Sequence, residues 1–218
     1  MKKKTIILFF VVTVVFLIHA CIDTQSRTKG VYLLIDTSGT YTEELKKAQT
    51  IINYLLGTLQ PGDSLAVGRI DTGSFSEKDI IAKVTFDKRP STANNQKRAF
   101  QKKIDEFIKG VKESPYTDIT GGMLQAVEYL NEAGSGMKYI LIFSDLKEEL
   151  AAGMIRDFQI KMDDIRVVAL NVTKLRSDNI DPREYMNRLE FWKKRVESSG
   201  GLWRVINDLE RLEKILSD

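Results

Sequence analysis

The sequence predicts a doubly wound α/β domain, with a mostly parallel six-stranded sheet, one antiparallel edge strand and helices on both faces. Three observations predict it. Short apolar runs alternate with stretches of helical periodicity from Val31 to the C-terminus. Two of the runs, Val31–Ile35 and Tyr139–Phe143, are apolar at every position, as strands covered on both faces are. Each then breaks off into an acid and hydroxyls, at the strand end where open α/β sheets place their ligand sites. With 218 residues, 43% of them hydrophobic and 29% charged, the chain is long enough for one such domain with a sizeable core.

Ahead of the domain, Met1-Lys-Lys-Lys4 precedes an apolar stretch from Thr5 to Ile18, followed by Ala20 and Cys21. A charged start, an apolar segment of about 14 residues and a small residue before the cut form a signal peptide over 1–20. That segment falls short of the roughly 20 apolar residues of a bilayer-spanning helix. Ile18-His-Ala-Cys21 resembles a bacterial lipoprotein box. The resemblance makes Cys21 the lipidated residue, 21–29 a lipidated cysteine with a short polar linker, and 30–218 the folded domain. It implies a cell-envelope protein anchored in the membrane by lipid. The membrane would be the outer one where the cell has one, since Ile22 and not an Asp follows Cys21, and otherwise the outer face of the cell membrane.

The chain carries 33 Lys and Arg against 30 Asp and Glu, but three lysines and no acid lie before Cys21, so the mature chain is neutral. Its balance gives no argument for nucleic acid, and no nucleic-acid partner is expected. His19 and Cys21 are the only His and Cys. Cys–His nucleophiles, Ser-His-Asp triads, His general bases and Cys/His zinc sites are therefore excluded from the domain, and so is a disulfide framework.

The elements follow in order. Val31–Ile35 is the first strand; Thr40-Tyr-Thr-Glu43 then reads as a capping box for a helix whose face is Leu45, Ala48, Ile52 and Leu55. Pro61-Gly-Asp breaks the chain before a second strand, Leu65–Ile70, which ends at Asp71. Ile80–Phe86 is a third strand, close enough in sequence to the second to pair with it antiparallel at the edge. Pro90–Asn95 reads as a polar break, after which Phe100, Ile104, Phe107, Ile108 and Val111 mark a second helix. Its lysines are interleaved with Asp105 and Glu106, the pattern of a solvated exterior. A third helix carries Met123, Leu124, Val127 and Leu130, and Lys138–Phe143 is the fourth strand. Met154, Ile155, Phe158 and Met162 predict a further helix, and Ile165–Asn171 the fifth strand. Asp181-Pro182 starts a helix carrying Tyr185, Leu189, Trp192 and Val196 to a stop at Ser-Ser-Gly-Gly201. Leu202–Ile206 is the sixth strand, and Asn207–Glu210 opens a last helix with Leu209, Leu212 and Leu216 inward.

Three segments bring acids and hydroxyls to one sheet edge: Asp36/Ser38/Thr40, Thr117/Asp118 and Asp145. Read structurally, Ser38 and Thr40 cap the first helix, Thr117 or Thr120 the third, and Asp145 a helix near Glu148. Read chemically, they are hard oxygen donors suited to Mg²⁺ or another hard divalent cation.

With these motifs the chain from Lys29 onward resembles the von Willebrand factor A domain. That family's metal-ion-dependent adhesion site pairs an Asp-x-Ser-x-Ser turn with a distant Thr and a distant Asp after a buried strand. The resemblance implies Ser38, Thr40 and Thr117 as direct ligands of Mg²⁺ (or Mn²⁺ or Ca²⁺). Asp36 and Asp145 would act largely through waters and hydrogen bonds, and a protein partner's acidic side chain would complete the shell. It implies a binding module and not an enzyme. Thr40 stands where the second Ser is usual, and Leu146 where a Gly commonly follows the strand-end Asp.

A second resemblance competes. Ile35-Asp36-Thr-Ser38-Gly39-Thr40 is similar to the nucleophile turn of the haloacid-dehalogenase phosphatases, with Asp36 as nucleophile and Mg²⁺ ligand, and Ile142-Phe-Ser144 to their second motif. Ser38 occupies the place of their general acid–base Asp, and Asp163-Asp164 precedes a strand where their acidic pair follows one.

Overall fold

The computed structural model describes residues 27–39, 41, 44–71, 73, 76–208, 210 and 212–216. The predicted leader with His19, Cys21 and the first part of the predicted linker lie outside the described residues, as do Thr40 and Glu43 of the predicted capping box. Among the described residues no helix is long and apolar enough to cross a membrane.

Among the described residues, six strands and four α-helices carry the fold: β1 (Lys29–Asp36), α1 (Leu45–Thr58), β2 (Ser64–Ile70), β3 (Ile80–Thr85), α2 (Pro90–Gly110), α3 (Ile119–Glu132), β4 (Met137–Phe143), β5 (Ile165–Leu170), α4 (Arg183–Glu197) and β6 (Leu202–Ile206). The sheet order is β3-β2-β1-β4-β5-β6. All neighbours run parallel except β3, which pairs antiparallel with β2. This is the doubly wound sheet with one antiparallel edge that the sequence predicts. The chain leaves β1 toward one edge and returns to β4 on its other side, so the topological switch falls between β1 and β4.

The pleat explains the wholly apolar central strands. Val31, Leu33 and Ile35 face one core with α1 and α2, among Ala48, Ile52, Leu55, Phe100 and Ile104. Tyr32 and Leu34 face the other, with Met123, Ala126 and Leu130 of α3 and Trp192 and Val196 of α4. Every side chain from Val31 to Ile35 is fully buried. Each such Leu or Ile contributes about 2 kcal/mol of transfer free energy, so the centre of the sheet is the rigid part of the molecule. Gly122 sets how close α3 comes to it: a Cβ there would lie 2.5 Å from Ile70 Cγ2 and 3.0 Å from Leu34 Cδ2. The helix N-terminus is thereby drawn onto the strand ends.

Three predicted elements differ. The polar break at Pro90–Asn95 is the first turn of α2, which begins at Pro90 itself. Proline fits the first helical position because its missing N–H has no partner there anyway. The helix predicted through Met154–Met162 does not form; residues 144–164 hold no helix or strand. Gly153 adopts φ +85°, Ile155 stands 77% exposed, and the backbone bonds elsewhere, as Met162 N–H does to the Ser199 carbonyl (2.8 Å). The last predicted helix is, among the described residues, a 3₁₀ turn at Leu212–Lys214; Ile215 takes the buried place, and Leu209 lies outside the described residues.

Candidate functional site

The register of β1 against β4 builds the site. Ile35 pairs with Phe143, so the next residues, Asp36 and Ser144, emerge side by side at the strand ends. Both are fully buried. The Ser144 hydroxyl donates to Asp36 Oδ2 (2.6 Å), and the Ser38 backbone N–H donates to Oδ1 (2.8 Å). The hydroxyls of Ser38 and Thr117 also hydrogen-bond to this carboxylate. Burial pushes the Asp36 carboxyl above the usual carboxylate range, and these four donors act against it. The turn closes as Tyr41 N–H donates to the Ser38 carbonyl (2.9 Å), while the buried Tyr41 ring meets Phe143 edge-on at 5.0 Å.

Thr117 reaches the same point from the segment ahead of α3. It pairs with Glu149 as an antiparallel bridge (N···O 2.8 and 2.9 Å), which leaves its side chain for Asp36. The N-terminus of α3 is capped by Asp118 and not by Thr117 or Thr120: Gly121 N–H donates to Asp118 Oδ1 (2.8 Å). Glu148 accepts from the Thr120 N–H (2.7 Å) and hydroxyl (3.2 Å). Arg156 closes on Asp118 through Nη2 (2.7 Å) and Nε (3.1 Å). Asp118 is thus consumed by structure, and Thr117 is the member of that pair that faces the strand ends.

Asp145 is 3% exposed and has fewer donors; its Oδ1 accepts from the Lys147 N–H (2.8 Å). Burial pushes its carboxyl up to about 6, the Asp36 charge adds to the rise, and Arg188 and Lys147 oppose it. Leu146, in place of the usual glycine, adopts φ +66°. The loop therefore keeps a glycine-like path although a side chain is present. Its N–H donates to Ser144 Oγ (3.0 Å), and its carbonyl accepts from Trp192 Nε1 (2.9 Å). Arg188 Nε donates to the Asp145 carbonyl (3.2 Å), and its two Nη groups grip the buried Asp178 at 2.8 Å each. Two side chains one turn apart on α4 thus hold consecutive carbonyls of the Asp145 loop.

Of the predicted site residues, Asp36, Ser38, Thr117 and Asp145 come together at the switch point, and Thr40 lies outside the described residues. Ser144, Tyr41, Arg188 and Trp192 join them. Ser144 was legible as the hydroxyl beside Asp145; Arg188 and Trp192 reach the site only by tertiary packing and leave no local signature. Among the described residues no three His, Cys, Asp or Glu side chains group into a metal cage. The oxygens gathered here are chiefly hydroxyls with carboxylates behind them, a hard-oxygen set that would suit Mg²⁺ or Mn²⁺.

The phosphatase arrangement is less well served. Both Asp36 oxygens already accept hydrogen bonds inside the protein, and Asp163-Asp164 form the turn that enters β5, at the opposite end of the sheet.

The doubly wound sheet carries its acid-and-hydroxyl cluster at the switch point, where open α/β sheets place ligand sites. Its particular form is the von Willebrand factor A fold. Solved structures similar to this chain include a von Willebrand factor type A protein from Catenulispora acidiphila, at 14% identity and a TM-score of 0.50 over 87% of this chain and 41% of that one. The pilus adhesin SpaC from Lactobacillus rhamnosus GG matches at 10% and 0.51, over 86% and 29%. Manganese-loaded TRAP protein from Plasmodium vivax matches at 15% and 0.51, over 85% and 72%. The chain spans less than half the length of the first two. At these identities the likeness is one of fold. No sequence-family profile matches the chain, and no curated protein sequence does.

Proposed function

We propose that this protein is a binding module that contacts a protein partner through a divalent cation at the β1/β4 switch point. The observation that carries the reading is the convergence of the Ser38 and Thr117 hydroxyls on one buried carboxylate, Asp36, with Asp145 beside it. Ser38, Thr117 and, by its place in the motif, Thr40 would hold the ion. Asp36, saturated with hydrogen bonds, orients their hydroxyls, and Asp145 has acceptor capacity left for metal-bound water. Mostly neutral direct ligands leave the ion electrophilic, and when bound it supplies a Lewis-acidic position for a partner's carboxylate. The manganese-loaded and adhesin structures of the same fold accord with this reading.

Attachment by lipid at Cys21, and with it a cell-envelope location, is proposed from the Ile18–Cys21 motif. Labelling with a clickable fatty acid tests it: label on the wild type and none on Cys21→Ser is expected, and equal labelling of both contradicts it.

Calorimetric titration with Mg²⁺ and Mn²⁺ tests the metal, with an aryl-phosphate assay on the same samples. Saturable uptake that disappears in Asp36→Ala/Ser38→Ala, with no turnover, is the expected result. Turnover that depends on Asp36 would overturn the binding-module reading in favour of the phosphatase.

A further inference from the structure

We infer that Arg156 is a positioning residue of this site: by pairing with Asp118 it keeps the adjacent Thr117 hydroxyl on Asp36, an inference that rests on the metal-binding reading above. Strands β4 and β5 are parallel, and the crossing between such strands is usually made by a helix, which bonds its own backbone. Residues 144–164 cross without one, so their chain is held from outside. Three of the holds fall within Thr117–Thr120. Glu149 bonds both backbone groups of Thr117 (N···O 2.8 and 2.9 Å). Arg156 donates to the Asp118 carboxylate through Nη2 (2.7 Å) and Nε (3.1 Å). Glu148 accepts from the Thr120 N–H (2.7 Å) and hydroxyl (3.2 Å). Arg156 is tied in turn to α4, where Arg195 Nη2 donates to its carbonyl (2.7 Å). The crossover is thus a strap from α4 to the start of α3, fastened at the residue that bonds to Asp36.

Of these holds, the Arg156 pair is the one that carries charge out of water. The Asp118 side chain is 1% exposed and that of Arg156 18%. The same carboxylate caps α3 by accepting from the Gly121 N–H (2.8 Å). A guanidinium fork matches a carboxylate with two donors, and removing one partner of such a buried pair strands the other charge. A stranded Asp118 turns toward solvent, gives up the Gly121 cap and rotates the peptide it shares with Thr117. The Thr117 hydroxyl then leaves Asp36. Groups that stand behind a ligand in this way change metal affinity without touching the ion.

Charge and position pull in opposite directions at Arg156, so the sign of the change tells them apart. By charge alone, removing a cation next to the site strengthens the binding of another cation. By position, removing Arg156 weakens it.

The test is Mg²⁺ titration of the full chain in mild detergent, comparing wild type with Arg156→Gln, Arg156→Lys and Arg156→Gln/Asp118→Asn, with amide hydrogen exchange on the metal-free samples. Arg156→Gln is expected to weaken Mg²⁺ about tenfold, the low end of the loss when an orienting partner is removed from behind a metal ligand. Arg156→Lys keeps the charge without the fork and should fall between that variant and wild type. The double variant pairs two amides and strands no charge, so its affinity should return to within about threefold of wild type. The Thr117, Gly121 and Glu149 amides should lose protection in Arg156→Gln and regain it in the double variant, while β1 and β4 stay protected. Affinity in Arg156→Gln equal to or tighter than wild type, or a loss that Asp118→Asn does not reverse, would overturn the inference while leaving the metal site standing. Unchanged exchange at Thr117 and Gly121 would do the same, as would protection lost across β1 and β4 as well, which would make Arg156 a support of the whole fold. A wild type that takes up no Mg²⁺ overturns the metal reading and this inference with it.

Discussion

The ends of β1 and β4 are neighbours in the sheet and alike in sequence, yet they are supported differently. At the β1 end Asp36 receives a backbone N–H and the hydroxyls of Ser38, Thr117 and Ser144. It is the acceptor around which the turn is folded. At the β4 end Asp145 receives the Lys147 N–H, and the rest of its loop hangs on Arg188 and Trp192 of α4. One carboxylate organises its surroundings; the other is positioned by them and keeps lone pairs for something else. Burial raises both acids, so both carboxylates carry an electrostatic cost that the proposed cation would relieve.

Removing the α4 support should have the largest effect. Trp192→Ala deletes a fully buried ring as well as the Leu146 clasp, and a loss of about 3–5 kcal/mol is expected in urea unfolding. Trp192→Phe keeps most of the packing and leaves the Leu146 carbonyl bare, for a loss of about 1–2 kcal/mol. Wild-type stability in Trp192→Phe would show that the clasp contributes nothing.

Asp145→Asn probes the under-supplied acid and should move stability the other way. The folded carboxyl is raised to about 6, so folding favours its protonated form. Its contribution to stability is complete below the unfolded value near 4 and is lost as pH rises through about 6. Without metal, the Asn variant should therefore be about 2 kcal/mol more stable than wild type at pH 7, and no more stable below about pH 4. Unfolding curves across that range check it, and Mg²⁺ should no longer stabilise the variant.

At the other end, Asp36→Ala should be less stable than Asp36→Asn by about 2 kcal/mol, because Asn still accepts from Ser38 and Ala orphans the buried donors. Near-equal stabilities would mean that the hydroxyl network holds without its acceptor.

The smallest effect belongs to Leu146→Gly. Relief of the left-handed backbone, about 1 kcal/mol, offsets part of the lost burial, so the loss should be about 1–2 kcal/mol and below that of ordinary buried leucine truncations. Thermal unfolding resolves it.

Much of this was legible in the sequence because it is written in local pattern. The apolar runs of β1 and β4, the antiparallel pair at β2–β3 and the residues Asp36, Ser38, Thr117 and Asp145 all sit where periodicity and strand-end chemistry put them. What was not legible depends on distant contacts. The Met154–Phe158 spacing mimics a helix face, but Gly153 turns left-handed, and Arg156 is drawn to Asp118 at 2.7 Å. Leu146 hid its conformation, since nothing in a leucine announces a positive φ that Ser144 and Trp192 impose from either side.

The most direct test of the central claim is a crystal of the full chain soaked in Mn²⁺, with data collected at the manganese absorption edge. One anomalous peak among Ser38, Thr117 and Asp145 is the predicted result. A peak elsewhere, or none there at saturating Mn²⁺, would contradict a metal site at the ends of β1 and β4.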